Sequence, residues 1–231
     1  MIPARLAISV SCGLTRTACN PVVLCLVLFT LLLALPVRSD TAQRIVAIGD
    51  SLTAGYGLAQ GDGLVPQLQR WLDAHGAAGF EVIDMGVSGD TTAGGRARLD
   101  WALAEGAGAV ILELGANDML RGIDPAEIRA NLAAMLAGLA ARNLPVLLVG
   151  MRATANFGPG YKRAFDAIYP DLAAQYGTVY DPYFFDGVAE EPVNFQDDGM
   201  HPSAAGIARV VERLGPLVLE LIARIAPETE Q

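Results

Sequence analysis

No cysteine follows Cys25 in this chain, and Cys12, Cys19 and Cys25 are the only three it has. All of them fall in residues 1–39, a stretch that also lacks any acidic residue. Without that stretch the chain has no disulfide, no thiol nucleophile and no thiolate metal site. Export without disulfides suits a periplasm-like compartment. Histidine is equally scarce: His75 and His201 are the two present, which leaves little for a zinc site. No GxxxxGK[ST] motif occurs, which excludes nucleotide hydrolysis through a Walker loop. Gly-x-Ser-x-Gly is also missing, so the usual α/β-hydrolase elbow is set aside. The apolar run Val22 to Leu35, broken by Cys25 and Thr30, falls short of the about 20 residues a membrane span needs.

That run is preceded by Arg5 and Arg16 and followed by Pro36, Val37, Arg38 and Ser39. The pattern reads as a signal peptide over residues 1–39 with cleavage just before Asp40; an uncleaved anchor is the alternative. The stretch carries three of the 16 basic residues and none of the 25 acidic ones, so the remainder has a net charge of 13 − 25 = −12. Such an acidic surface is a poor match for nucleic acid, whose phosphates are met by Lys and Arg. Residues 40–231 have the length of one domain, and the 52% hydrophobic content of the chain implies a sizeable core.

Within that domain, apolar runs of strand length alternate with helical patterns. The strand candidates are Ile45–Ile48, Phe80–Ile83, Ala109–Leu114, Val146–Met151 and Thr178–Tyr180. Continuous apolar runs of this kind suit parallel strands covered on both faces. Helices are expected from Leu64, around Gly95–Glu105, over Pro125–Arg142 and over Tyr161–Gln175. A last one starts near Ser203, with a kink at Gly215-Pro216. Asp124 is placed to cap the third, with Glu127 closing a capping box. The fold class is therefore α/β with a parallel sheet.

The chemistry gathers after strands and in one late loop. Gly49-Asp50-Ser51-Leu52 ends the first strand. A small polar residue there sits where an open α/β sheet holds its active site, so Ser51 is placed like a nucleophile; a plain helix N-cap is the alternative. Gly86–Thr92, after the second strand, has two glycines that allow the backbone to approach a ligand, or simply to turn. In Gly115-Ala116-Asn117-Asp118 the Asn117 amide can donate to a developing oxyanion, or hold an Asx-type turn. Near the C-terminus stands Asp197-Asp198-Gly199-Met200-His201-Pro202. An acid three positions before a histidine can orient its imidazole. The two adjacent acids could instead hold a hard cation or be solvated. His75 ends an amphipathic helix, so a histidine base serving Ser51 would be His201.

These four blocks, in this order, resemble those of the SGNH/GDSL hydrolases across nearly all of residues 40–231. The likeness is greatest to the bacterial periplasmic arylesterase and multifunctional acyl-CoA thioesterase/lysophospholipase branch, with support from Asn117–Gly122 and Ala155–Gly158. The resemblance implies a three-layer α/β/α sandwich with a five-stranded parallel sheet in flavodoxin-like order. It implies Ser51 as nucleophile, His201 as base and Asp198 as the orienting acid. The oxyanion donors would be the Ser51 and Gly89 N–H groups and the Asn117 amide. Loops flanking the nucleophile would offer Met119, Leu120, Ile123 and Phe157 to an acyl group. The expected protein is an exported esterase or thioesterase acting through an acyl-enzyme, without cofactor or metal. It is expected to be a monomer, with no nucleic-acid partner and no stable membrane insertion after processing. Acyl transfer at the same site is one alternative, and a flavodoxin-like binding module, in which His201 has no special role, is another.

Overall fold

The computed structural model describes residues 43–225. The expected leader over residues 1–39 and its cleavage point lie outside the described residues. Five strands form one sheet: β1 (Gln43–Gly49), β2 (Phe80–Gly86), β3 (Ala109–Glu113), β4 (Val146–Val149) and β5 (Val179–Asp181). Their order is β2-β1-β3-β4-β5 and every pairing is parallel. This is the flavodoxin-like order, and it reverses between β1 and β3. A crevice opens at such a switch point beyond the carboxyl ends of the strands.

The central strands are apolar on both faces because helices cover both. Every residue of β3 and β4 is buried. The helices are α1 (Ser51–Ala54), α2 (Leu64–Ala74), α3 (Thr92–Ala97), α4 (Leu99–Ala102), α5 (Ala116–Leu120), α6 (Pro125–Ala140), α7 (Gly158–Asp166), α8 (Ile168–Tyr176) and α9 (Ala204–Ala223). Asp124 caps α6 by accepting from Ala126 N–H at 2.9 Å, and Glu127 gives its backbone N–H to Asp124 O rather than closing a capping box. The helix expected over Tyr161–Gln175 is two helices. Pro170 has no N–H to give to Asp166 O, and its ring crowds that carbonyl, so α7 stops and α8 restarts. Gly177 then ends α8 in the left-handed conformation, at φ 64°. The helix expected around Gly95–Glu105 starts three residues earlier, where Thr91 Oγ1 caps Gly94 N–H, and divides at Arg98.

Ser203 caps α9, which continues through Pro216 without ending. Its buried stripe, which includes Ile207, Val210, Leu214, Val218 and Leu221, holds it in place. A Cβ at Gly215 would stand 2.5 Å from the Trp71 indole, so this glycine lets α9 lie directly against α2. Among the described residues, no helix is long and apolar enough to cross a membrane.

Candidate active site

Ser51 is the first residue of α1, directly after β1. It is not the cap. Asp50 fills that role, its Oδ1 accepting from Leu52 N–H at 3.0 Å. Ser51 Oγ stands 2.9 Å from His201 Nε2, and His201 Nδ1 stands 2.6 Å from Asp198 Oδ2. An ionised Asp198 fixes the proton on Nδ1, which leaves the Nε2 lone pair to accept the serine hydrogen. Asp198 Oδ1 also accepts the N–H groups of Met200, at 2.8 Å, and of His201, at 2.9 Å. The His201 N–H bond, then the imidazole bond and the Met200 N–H bond, hold the Asp198 carboxyl down at about 2. Gly199, at φ 66°, makes the turn that folds this carboxylate back onto the histidine. Asp197 is exposed and makes none of these bonds.

The loop bearing His201 is tied down on both sides. Phe195 and Pro202 form an antiparallel bridge, and Gln196 N–H donates to His201 O at 2.8 Å. Gln196 Nε2 reaches Tyr56 O at 2.8 Å and so links this loop to the segment after Ser51. The Tyr56 ring packs 4.8 Å from the imidazole. His75, the other histidine, stacks on Trp71 at 3.7 Å and lies outside the site.

The three candidate oxyanion donors, Ser51, Gly89 and Asn117, all line one cavity of about 410 Å³. Gly89 has φ 83°, a conformation that a side chain would strain. Arg121 Nη2 donates to Gly89 O at 2.8 Å. Asp118, fully buried, accepts from Thr92 N–H at 2.8 Å and Thr92 Oγ1 at 2.6 Å. Arg98 donates to Asp90, Met85 O and Gly49 O. These bonds lock the Gly86–Thr92 and Gly115–Asp118 blocks to each other and to the end of β1.

Beneath the serine lies a carboxyl pair that the sequence reading did not single out. Asn117 Nδ2 donates to Asp50 Oδ2 at 2.9 Å, so one of its two N–H groups is committed and the other is left for a ligand. Asp50 is 1% exposed, and burial raises its carboxyl to about 6 against the pull of the Leu52 N–H and the Asn117 amide. Glu113, the last residue of β3, is fully buried; its Oε2 accepts from Thr53 Oγ1 at 2.8 Å and from Asp50 N–H at 3.4 Å. Burial first, and the Asp50 charge second, push Glu113 well above the usual glutamate range. A Cβ on Gly49 would collide with Thr53 Oγ1 and stand 2.7 Å from Glu113 Oε2, so this glycine of the Gly49–Leu52 block makes room for the bonded Thr53–Glu113 pair. The available signal was a glutamate inside an otherwise apolar strand.

Of the four residues expected to meet an acyl group, Met119 and Leu120 line the cavity. Ile123 and Phe157 do not. Phe157 stacks on Tyr161 at 5.1 Å, Tyr161 Oη bonds to Ile123 O, and both apolar residues pack on the core. The far wall comes instead from Tyr183 and Phe185 after β5 and from Phe195 and Met200 around the histidine loop. Their aromatic character was visible in the sequence, but the wall they share was not.

The pattern of the GDSL-like Lipase/Acylhydrolase family matches residues 47–209. Esterase TesA of Pseudomonas aeruginosa is 40% identical over 193 residues, which cover 83% of this chain and 96% of that protein. The Escherichia coli K12 protein named Thioesterase 1/protease 1/lysophospholipase L1 is 36% identical over 177 residues, 76% of this chain and 83% of its own. Among solved structures, AlinE4, an SGNH-hydrolase family esterase, superposes with a TM-score of 0.66 at 43% identity, covering 78% of this chain and 96% of that one.

Proposed function

The chain belongs to the GDSL-like lipase/acylhydrolase family, and from that premise we propose that it cleaves carboxylic esters or thioesters through an acyl-enzyme on Ser51. It is a serine hydrolase of the SGNH type. Ser51 Oγ attacks the carbonyl carbon while His201 Nε2 takes its proton. Asp198 orients the imidazole and balances the imidazolium that forms. The Ser51 and Gly89 N–H groups and the free Asn117 N–H stabilise the tetrahedral oxyanion. His201 then protonates the departing alcohol or thiol, and in the second half-reaction takes a proton from the water that releases the acid. The reading rests on the Ser51–His201–Asp198 chain, with contacts of 2.9 and 2.6 Å, whose serine and histidine line a largely apolar cavity. A binding module would give His201 no such partner.

We further propose that the protein is exported, with cleavage near Ser39/Asp40, and acts as a monomer without stable membrane insertion. Labelling with a fluorophosphonate probe, followed by peptide mapping, tests the chemistry. One label per chain on Ser51, abolished in Ser51→Ala and in His201→Ala, is the expected result. An inert protein, or a label elsewhere, would overturn it. N-terminal sequencing of the protein recovered from its host tests the export step.

A further inference from the structure

Arg152 follows β4 and Tyr183 follows β5; both line the cavity. The Arg152 guanidinium lies 4.7 Å from the centroid of the Tyr183 ring. Apart from His201 it is the one basic side chain in the wall, and among the described residues it forms no ion pair. Most cations elsewhere take a carboxylate (Arg44, Arg98, Arg129, Arg142, Lys162, Arg209, Arg213 and Arg224), and of those that do not, Arg70, Arg96 and Arg121 are bonded to neutral oxygens; Arg152 is the one that lines the cavity. Glu190, Asp166 and Asp186 are close enough to act on the Tyr183 phenol; Asp166 is held by Lys162 Nζ at 2.7 Å and by Ala153 N–H at 2.8 Å, and none of the three forms an ion pair with Arg152. A cation in a substrate cavity of a strongly acidic chain has thus been left without a carboxylate.

Stacking on an aromatic face holds a guanidinium in place before a ligand arrives, and its planar fork suits a carboxylate or phosphate. The sheet order sets the reach. Ser51 follows β1 and Arg152 follows β4, with β3 between them. Two strand spacings put the backbone at Arg152 about 10 Å along the sheet from the nucleophile, and the long side chain sets the final reach of the guanidinium. Met151 and Phe185, beside it in the wall, offer only apolar contact.

We propose that Arg152 and Tyr183 form an anion subsite, which receives a carboxylate or phosphate borne by the substrate about 10 Å from its scissile carbonyl. The subsite rests on the reading of Ser51 as the nucleophile. It makes the preferred substrates anionic esters or thioesters of intermediate length, and the charge selects among substrates of equal apolar content.

Two matched pairs test it, below any critical micelle concentration. The 4-nitrophenyl monoester of decanedioic acid against its neutral methyl ester probes a carboxylate on the acyl side. Lauroyl glycerol 3-phosphate against monolauroylglycerol probes a phosphate on the leaving-group side. The quantity read is the ratio of kcat/KM, anionic over neutral. In at least one pair Arg152→Gln should lower this ratio by about tenfold, with Arg152→Lys between the two, since charge is kept but the fork is lost. The wild-type ratio in that pair should also fall as NaCl is raised. Ratios unmoved by Arg152→Gln in both pairs, or a wild-type ratio insensitive to salt in both, would overturn the subsite. Failure of the wild type to cleave either neutral ester would count against the hydrolase reading itself, so the two failures are distinguishable.

Discussion

Asn117 and Asp50 are joined side chain to side chain, the amide nitrogen 2.9 Å from a carboxylate oxygen that is 1% exposed. The carboxylate comes from the residue before the nucleophile, so the candidate oxyanion donor and the candidate nucleophile are set by one piece of backbone. An Asn amide rotates about a soft terminal torsion, and a fixed acceptor on one N–H determines where the other points.

Asn117→Ala is expected to lower kcat by roughly a hundred- to a thousandfold with little change in KM, because the lost bond forms in the transition state. Asp50→Ala should reproduce part of that loss through misdirection of the amide. The double variant should lose less than the sum of the two in free energy, since both substitutions remove one unit of function. Steady-state kinetics on correctly folded variants, checked by circular dichroism, would read this. Full additivity would separate Asp50 from Asn117.

Asp198 and Asp197 are neighbours with different surroundings. Asp198→Asn should cut kcat by on the order of 10³–10⁴, because an amide favours the wrong imidazole tautomer, and Asp197→Asn should leave it nearly unchanged. Equal losses would mean that the three-residue spacing selected the wrong acid.

The Glu113 carboxyl binds its proton more tightly in the folded chain than in the unfolded one. Its contribution to stability is therefore complete below the ordinary glutamate range and is lost as pH rises toward the raised folded value. Glu113→Gln removes that titration and leaves a neutral group of similar shape. Whatever the variant costs at about pH 5, its deficit against wild type in urea midpoint should shrink by about pH 8. Asp50 shifts in the same direction, so wild type and variant should both keep some of this slope. A deficit that stays constant or grows with pH would contradict a raised Glu113 carboxyl.

The cavity wall makes a prediction about acyl length. Each added CH₂ buried against it is worth up to about 0.8 kcal/mol, or roughly fourfold. For 4-nitrophenyl esters from acetate upward, kcat/KM should climb to a medium-chain optimum. Leu120→Ala with Phe185→Ala should move that optimum shorter. Phe157→Ala should leave it in place, because Phe157 faces Tyr161 and not the cavity. A steady decline from acetate, indifferent to all three substitutions, would mark a small-acyl enzyme.

What the sequence made legible was local. Ser51 at a strand end, Asp198 three residues before His201, and Asp124 before Pro125 are patterns readable within a few positions. The five strands follow from apolar runs, and their order came only with the resemblance. What stayed hidden depends on side chains meeting across the sheet. The Glu113–Thr53 contact joins residues 60 positions apart, and the aromatic wall joins loops after different strands. Ile123 and Phe157 were expected in the cavity because they sit in the right loops, but loop membership does not say which way a ring faces. The division at Pro170 was readable from the proline itself, yet one helix was expected over Tyr161–Gln175.

The direct seating of α9 on α2 has a consequence for how the protein comes to life. Gly215 meets Trp71, and the Trp71 indole N–H reaches Glu212 Oε2 at 3.2 Å, so the last helix closes against the first long one. Ser51 lies just before that first layer and His201 just before the last, 150 positions apart. A chain that ends before His201 lacks one half of the proposed proton path, and one cut between His201 and α9 has both residues without the helix that follows the histidine loop. On the proposed mechanism, hydrolysis is therefore a late acquisition of the chain, because it waits for the segment that carries His201.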